Sequence, residues 1–276
     1  MSTTSASTET RVGPKGPGLW ARLGSNFLYS LGLPLLVLAA WALWTTASPQ
    51  KFFPSPFKVY DAFVDTWVGP LFVTDVLPSL MRLGFGILFS IIIGIGVGTL
   101  VGLVRWLREL VEPMFEFFRA IPPPVMIPVI AVILGPTDTM KITVIVLGAL
   151  WPILLNTIEG VRGTDSVMKD TARSFGMTWS QRLRYLVLPA ANPRIMTGVR
   201  QAMAIALILM VISEMFYGSS GFGYQIVYFQ RNYLVAQMWS GIVLLGLVGV
   251  LLATIFGFVE RRILKWYHGV KEVERG

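Results

Sequence analysis

The side chains that could do chemistry in this sequence are few. The chain contains no cysteine and a single histidine, His268, close to its C-terminal end. These counts exclude disulfides, zinc-thiolate sites, cysteine nucleophiles and histidine-based catalytic triads. No Gly-Lys dipeptide occurs, so the chain also lacks a phosphate-binding loop of the Walker A type. We therefore predict no metal site and no catalytic site in this chain.

The remaining candidates are ionisable residues within or beside apolar segments, where a charge is costly and is a functional candidate by default. Arg82 begins one such segment, Glu159 ends another, and Arg200 and Glu214 share a third. Glu214 has no obvious partner nearby in the sequence. One interpretation is pairing between helices or snorkelling to an interface. The other is a path for a polar solute, with Arg200 suited to an anion. This second interpretation gives four candidate path residues: Arg200, Met210, Ser213 and Glu214.

The segments that position these residues are apolar and long. Of the 276 residues, 54% are hydrophobic and 14% are charged, against about 25% charged in a typical soluble domain. The apolar segments are 27–47, 79–104, 121–135, 139–158, 195–217 and 237–260. Most reach the roughly 20 residues that cross a bilayer, and the short third one starts with prolines that suit a helix start. We predict an all-α integral membrane protein with about six transmembrane helices.

The charge distribution predicts the orientation of these spans. With the N-terminus inside, 17 of the 23 Lys and Arg residues fall in inner segments, as the positive-inside rule requires. Both termini are therefore expected in the cytoplasm. We divide the chain into a disordered cytoplasmic tail (1–26), a transmembrane domain (27–265) and a C-terminal cytoplasmic tail (266–276). The basic net charge needs no nucleic-acid partner, whereas membrane lipid is an expected one.

Small residues recur every four positions in two of the spans, a spacing that lets helix backbones approach closely. The two sets are Gly94, Gly98 and Gly102 in the second span, and Gly249, Ala253 and Gly257 in the sixth. Packing within the chain and a seam between two copies are both compatible with this spacing.

A loop of more than 30 residues, 160–193, follows the fourth span, and a loop of this length in a compact protein usually carries structure or function. Asp165 is a helix N-cap, and the helix is expected to run through Phe175. Gly176 then suits the left-handed position just past a helix end.

The second half of this loop has its own start and stop signals. Thr178 and Gln181 form a capping-box pattern, and Pro189 is expected to end the helix. The sequence therefore predicts a two-helix elbow at about 165–188. Its apolar residues recur at helical spacing: Met168, Ala172 and Phe175, then Trp179, Leu183 and Leu186. Such an elbow either rests on the membrane surface or docks into a groove on a partner.

The elbow contains a motif with fixed spacing. Asp170-Thr171-Ala172 is followed after three residues by Gly176, and after nine more by a Leu-x-Leu-Pro run that ends at Pro189. This motif resembles the EAA loop of ABC importer permeases. The family pattern is Glu-Ala-Ala, Gly and Ile-x-Leu-Pro at the same spacing, so this chain differs mildly, at Asp170, Thr171 and Leu186. In that family the segment is the coupling helix that inserts into a cleft of the ATPase. The resemblance implies eight coupling residues: Asp170, Thr171, Ala172, Arg173, Ser174, Gly176, Leu188 and Pro189.

Three further stretches, residues 117–123, 152–157 and 214–223, are similar to the nitrate/sulfonate/taurine/bicarbonate branch of these permeases, and the resemblance covers roughly residues 50–265. It implies the type I ABC importer fold in the bacterial plasma (inner) membrane. It also implies two ATPase subunits that bind ATP and Mg, an external solute-binding protein, and a second permease copy in a homodimer. The solute would be small and either anionic or aromatic/heterocyclic, and this chain itself would hold no cofactor.

Two other classes of membrane protein predict different features. A secondary transporter or channel without an ATPase is expected to have coupling carboxylates deep in its spans and an internal repeat. An intramembrane enzyme needs a His, Cys or paired-carboxylate site. The sequence shows none of these features, so we predict a transport subunit that is not an enzyme.

Overall fold

The computed structural model describes residues 19–48 and 51–267. These residues are helical wherever they are regular, and no strand occurs among them. The predicted all-α fold class is therefore confirmed. Most of the predicted N-terminal tail and the C-terminal residues from His268 onward lie outside the described residues.

The chain divides between Lys58 and Val59 into two units. The first unit contains helix α1 (Leu19–Ala47) and the start of helix α2 (Pro56–Trp67). Helix α1 covers the whole of the first predicted span, and Gly32–Ala47 is its apolar stretch.

The second unit contains four helices that are long and apolar enough to cross a membrane. They are α3 (Leu77–Leu103), α6 (Asp138–Arg162), α9 (Leu188–Tyr217) and α11 (Val235–Ile263). The shorter helices between them are α4 (Arg105–Ala120), α5 (Met126–Leu134), α7 (Ser166–Ser174), α8 (Trp179–Arg182) and α10 (Phe222–Arg231). Helices α3, α6 and α9 carry most of the buried core of this unit, whereas α11 is mostly exposed.

The glycine stripe of the second predicted span is where α3 packs against α6. The contacts pair Gly94 with Ile153, Gly98 with Thr157 and Gly102 with Val161. The partner lies 59 positions further along the chain in each pair, so the two helices are parallel and keep one register. A Cβ atom at Gly98 would lie 2.7 Å from Cβ of Thr157. Packing within the chain therefore accounts for this stripe.

Helix α9 packs on α6 in the opposite direction. Gly160 near the end of α6 meets Ala191 at the start of α9, and Gly148 meets Leu209 further along. At Gly198 a Cβ atom would lie 2.6 Å from the carbonyl oxygen of Pro152. Helix α6 thus lies between α3 and α9, with glycines at both interfaces.

The third predicted span is wrong in its extent. Helix α5 has nine residues, about 13 Å of helix, which is too short to cross a bilayer. Three consecutive prolines start at Pro122, and the residue before a proline is driven out of the helical region. Ile121 accordingly has ψ 118°, so α4 ends before it. Helices α4 and α5 form a pair bent by 76°.

The register of α3 and α6 shows where this bent pair runs. Asp138 at the start of α6 lies 2.8 Å from Arg82 near the start of α3. Since α3 and α6 are parallel, the connection from Val104 to Thr137 must return along about 30 Å of helix. The bent pair therefore belongs to the connection that runs back along α3 and α6, which is the arrangement of a broken span. The predicted count of six spans needs both this pair and the shorter apolar stretch of α1, and it stays a prediction.

Helix α4 carries six charged side chains: four of them line a cavity near the end of α6, whereas Arg105 and Glu109 form an exposed ion pair. Arg108, Glu112, Glu116 and Arg119 line a cavity of about 160 Å³ together with Glu159 and Arg162 at the end of α6. Charged side chains in a crossing segment require such a cavity or a protein neighbour, because lipid cannot solvate them.

The prediction that Pro189 ends the second elbow helix is also wrong. Helix α8 continues through a π turn, Leu183–Val187, directly into α9, which has Pro189 in its first turn. A proline removes an amide donor and crowds the preceding turn. A π turn, with its longer hydrogen-bond spacing, accommodates this defect without ending the helix.

Candidate functional site

The first half of the elbow is a short helix with both ends capped. The carboxylate of Asp165 accepts hydrogen bonds from the amides of Val167 (2.6 Å) and Met168 (3.1 Å), as its predicted role requires. At the other end, Gly176 has φ +67°. The amide of Met177 donates to the carbonyl of Ala172 at 3.1 Å, which completes a Schellman motif.

The second half begins with the predicted capping box. The amide of Gln181 donates to Oγ1 of Thr178 at 3.4 Å, and the amide of Thr178 donates to Oε1 of Gln181 at 2.8 Å. Because both ends of this tight connection are capped, the angle between α7 and α8 is well defined.

The apolar residues of α7 do not form one buried face. Ala172 is 6% exposed and packs against the protein, whereas Phe175 is 83% exposed. Val167, Met168 and Trp179 are exposed as well. Exposed apolar side chains grouped on one element mark an interaction surface. We call Val167, Met168 and Phe175 the exposed face of the elbow.

The eight residues that the resemblance implies fall into two places. Asp170, Thr171, Ala172, Arg173 and Ser174 lie on α7 with Gly176 just behind them, and Leu188 and Pro189 begin α9. Asp170 and Arg173 form an exposed ion pair at 3.1 Å. Their predicted contact with an ATPase stays a prediction.

A second group of polar residues lies at the end of the helices away from the elbow. Its centre is Glu214, which is 0% exposed. Oε1 of Glu214 accepts hydrogen bonds from Nη1 of Arg82 and from Oγ of Ser79, both at 2.7 Å. Oε2 accepts from the amide of Gly223 at 3.1 Å. Glu214 therefore has three donors, although the sequence shows no nearby partner.

The chain between α9 and α10 is bound to this group through its backbone. The amide of Gly221 donates to Oδ1 of Asp75 at 2.8 Å, and the amide of Phe222 donates to Oγ of Ser79 at 3.1 Å. Gly221 has φ +113°, and a Cβ atom there would overlap the carboxylate of Glu214. Glycine is required at this position for both reasons.

Helix α6 adds a further cation and a carboxylate. Asp138 lies 2.8 Å from Nε of Arg82 and 3.5 Å from Nζ of the buried Lys141. We call these groups the polar cluster: Asp75, Ser79, Arg82, Asp138, Lys141, Glu214 and the backbone of 221–223. It joins α3, α6, α9 and α10 at one end. In the described part of the chain, no group of three or more His, Cys, Asp or Glu side chains could hold a metal ion.

The four candidate path residues are not brought together. Met210, Ser213 and Glu214 are fully buried within this chain. Arg200 lies about 20 Å further down α9, where it pairs with Glu260 of α11 and approaches the ring of Phe256 at 5.9 Å. It lines an apolar cavity of about 390 Å³ between α9 and α11. Of the second small-residue set, Gly249 and Ala253 line this cavity, whereas a Cβ at Gly257 would have no neighbour within 4 Å in the described residues.

Comparison with known proteins agrees with this architecture. Residues 86–265 match the family described as "Binding-protein-dependent transport system inner membrane component". The bicarbonate transport system permease protein CmpB of Synechococcus elongatus is 37% identical, over 91% of this chain and 95% of that protein. The taurine transport system permease protein TauC of Escherichia coli is 27% identical, over 90% and 93%. The predicted resemblance to the nitrate/sulfonate/taurine/bicarbonate branch is confirmed.

A solved structure shares the fold. The MetNI methionine ABC transporter, in an inward-facing conformation, aligns with 71% of this chain and 95% of its own, with a TM-score of 0.55 and 26% identity. The type I ABC importer fold is therefore confirmed. The chain belongs to the family of binding-protein-dependent transport system inner membrane components, and it is a permease subunit of an ABC importer and not an enzyme.

Proposed function

We propose that this permease carries a small anionic solute and that its elbow couples the solute path to ATPase subunits. The observation that carries the coupling proposal is the capped elbow with its exposed face, where Phe175 is 83% exposed. An apolar surface of this kind, held at a fixed angle, is suited to insertion into a groove on a partner protein.

The connection from the elbow to the rest of the chain supports the same role. Ala172 is buried against the protein, and α8 runs without a break through the π turn into α9. A displacement of the elbow is therefore transmitted along α9. Glu214, at the other end of α9, belongs to the polar cluster. ATP-driven docking at one end can thus bias the arrangement at the other end, because ATP and the solute favour different states.

The full assembly that we propose has two ATPase subunits that bind ATP and Mg, an external solute-binding protein and a second copy of this permease. The elbow and both termini would lie in the cytoplasm. Two observations support this side. The end of α11, with Arg261 and Arg262, lies at the elbow end, because Glu260 contacts Arg200. The elbow itself is rich in Lys and Arg, as expected of an inner segment.

The proposed solute class rests on the relatives. CmpB and TauC are named as bicarbonate and taurine transport permeases, and both molecules carry an anionic group. Arg200 is the candidate cation of the path. If Arg200→Gln left both the uptake rate and the substrate selectivity unchanged, its role in the path would be disproved.

The test of coupling uses Phe175→Glu, with Phe175→Leu as the matched control. The side chain is exposed, so neither substitution should unfold the permease. We expect the Glu variant to lose co-purification with the ATPase and to lose ATP-driven uptake, and the Leu variant to keep both. A channel or secondary transporter without an ATPase would transport equally well with either variant, and that result would refute the proposal.

A further inference from the structure

A cavity of about 400 Å³ lies between the elbow and the ends of α3 and α6. Three cations line it: Lys169 and Arg173 from α7, and Arg182 from α8. The rest of its wall is largely apolar and includes Leu100, Leu103, Val161 and Leu186. We call this cavity the basic pocket.

The charges of the basic pocket are not balanced within the described chain. Arg173 pairs with Asp170. Neither Lys169 nor Arg182 has a carboxylate within 4 Å among the described residues, and Nε of Arg182 is buried there without an acceptor. A buried guanidinium nitrogen without a partner costs free energy, so an anion that accepts from it would be stabilising.

The chemistry of the wall indicates which anion fits. Arginine presents several N–H donors in a plane that matches phosphate oxygens, and lysine adds a point charge. Basic pockets at the cytoplasmic ends of membrane helices bind phospholipid head groups. Leu100, on the same wall, is half exposed on α3 and could contact an acyl chain. We propose that the basic pocket binds a phosphate group, with Arg182 as its main donor.

The competing ligand is an acidic side chain of the ATPase. The positions of the side chains around α7 argue against this ligand. Lys169 and Arg173 are four residues apart and share one side of the helix, beside the buried Ala172. Val167 lies on the opposite side, and Phe175 is also turned well away from both cations. A partner that covers the exposed face of the elbow would therefore leave the basic pocket on the side toward the spans.

A bound phosphate would join α7, α8 and the end of α3, since all three contribute to the wall of the basic pocket. It would thereby limit movement of the elbow relative to the spans. This consequence for ATP-driven transport rests on the proposed coupling role. The binding itself does not.

The test compares Arg182→Gln with Arg184→Gln in the purified full-length chain. Arg184 is two residues away, exposed and outside the wall of the pocket, so both variants lose one positive charge from the same segment. Each protein is placed in nanodiscs of phosphatidylcholine with or without phosphatidylglycerol. A second arm adds inorganic phosphate to the protein in detergent. The readouts are Tm and the phosphatidylglycerol retained in native mass spectrometry.

We expect the anion-dependent rise in Tm in the wild type and in Arg184→Gln, and its loss in Arg182→Gln. Lys169→Gln should reduce it as well, which guards against a folding defect in a single variant. A response to phosphatidylglycerol alone identifies a lipid head group, whereas a response to inorganic phosphate identifies a free anion. Both results support the proposal.

Equal losses in Arg182→Gln and Arg184→Gln would indicate diffuse surface charge and overturn the proposal. The proposal would also be overturned if the permease showed no anion response and Arg182→Gln weakened ATPase association. That pattern would assign the pocket to a carboxylate of the partner. Phe175→Glu separates this test from the coupling test. It should abolish ATPase association and leave the anion response intact.

Discussion

The sharpest prediction concerns the buried carboxylate of Glu214. In Glu214→Gln the side chain keeps nearly its shape but loses its charge, and one acceptor oxygen becomes an NH₂ donor. If the remaining oxygen faces Arg82 and Ser79, the new NH₂ group faces the amide of Gly223, which then has no acceptor. If the new side-chain amide has the opposite orientation, its NH₂ group faces Nη1 of Arg82 instead, and two donors then oppose each other there.

The expected loss in the free energy of unfolding follows from the burial of Glu214. Removing one partner of a buried ion pair costs about 3–5 kcal/mol, because the remaining charge is left uncompensated. Arg82 keeps one carboxylate, Asp138, but that residue is 64% exposed and is a weaker partner. We therefore expect a loss of about 3 kcal/mol in the free energy of unfolding. Asp170→Asn, which breaks an exposed ion pair, should cost at most about 1 kcal/mol.

The assay is a double-mutant cycle with Arg82→Met, read as the free energy of unfolding in lipid–detergent micelles. Arg82→Met alone leaves Glu214 buried without its cation and should be as costly as Glu214→Gln. The double variant carries neither charge, so it should cost less than the sum by about 1–3 kcal/mol. Additive costs, or a Glu214→Gln variant as stable as Asp170→Asn, would refute the assigned pairing.

Two other predictions test the packing and the elbow. Gly98→Ala places a Cβ atom 2.7 Å from Thr157 and should cost about 1–3 kcal/mol of unfolding free energy. The control is Gly96→Ala, where a Cβ atom has no neighbour within 4 Å. This substitution should be neutral or stabilising by up to about 1 kcal/mol. Equal effects would contradict the contact between α3 and α6. At Gly176, with φ +67°, substitution by Val should cost about 1–2 kcal/mol and make the elbow more sensitive to trypsin than substitution by Asn, which tolerates this conformation. Equal cleavage of the two variants would count against the left-handed cap.

The features that the sequence predicted well depend on neighbouring residues. Asp165 and Gln181 lie within three residues of the amides that they cap, and the left-handed Gly176 lies two residues past the end of α7. The glycine stripe of α3 is likewise a local spacing, although the sequence could not say that α6 was its partner. Such signals are readable because the backbone groups at a helix end need partners close by.

The structural features that the sequence did not predict depend on contacts between distant residues or on the way the backbone accommodates a proline. Arg82 and Glu214 are separated by 132 positions, and each was visible only as an isolated charge in an apolar segment. Pro189 was expected to end a helix because the π turn that accommodates it has no sequence signature that we recognised. The extent of the third span was missed for another reason: α4, the first half of the bent pair, carries six charged residues, so hydropathy indicated only the apolar second half.

The continuous helix from α8 to α9 connects the elbow with the polar cluster. Residues Trp179–Tyr217 form a single helical path of about 58 Å, with the elbow at one end and Glu214 near the other. Helix α6 packs closely against this path at Gly160, near Ala191, and at Gly198, near Pro152. Substitutions at the two ends of this path should have different effects. Phe175→Glu should abolish ATPase association without loss of stability, whereas Glu214→Gln should reduce stability while the elbow still binds, because the caps of the elbow do not involve the polar cluster.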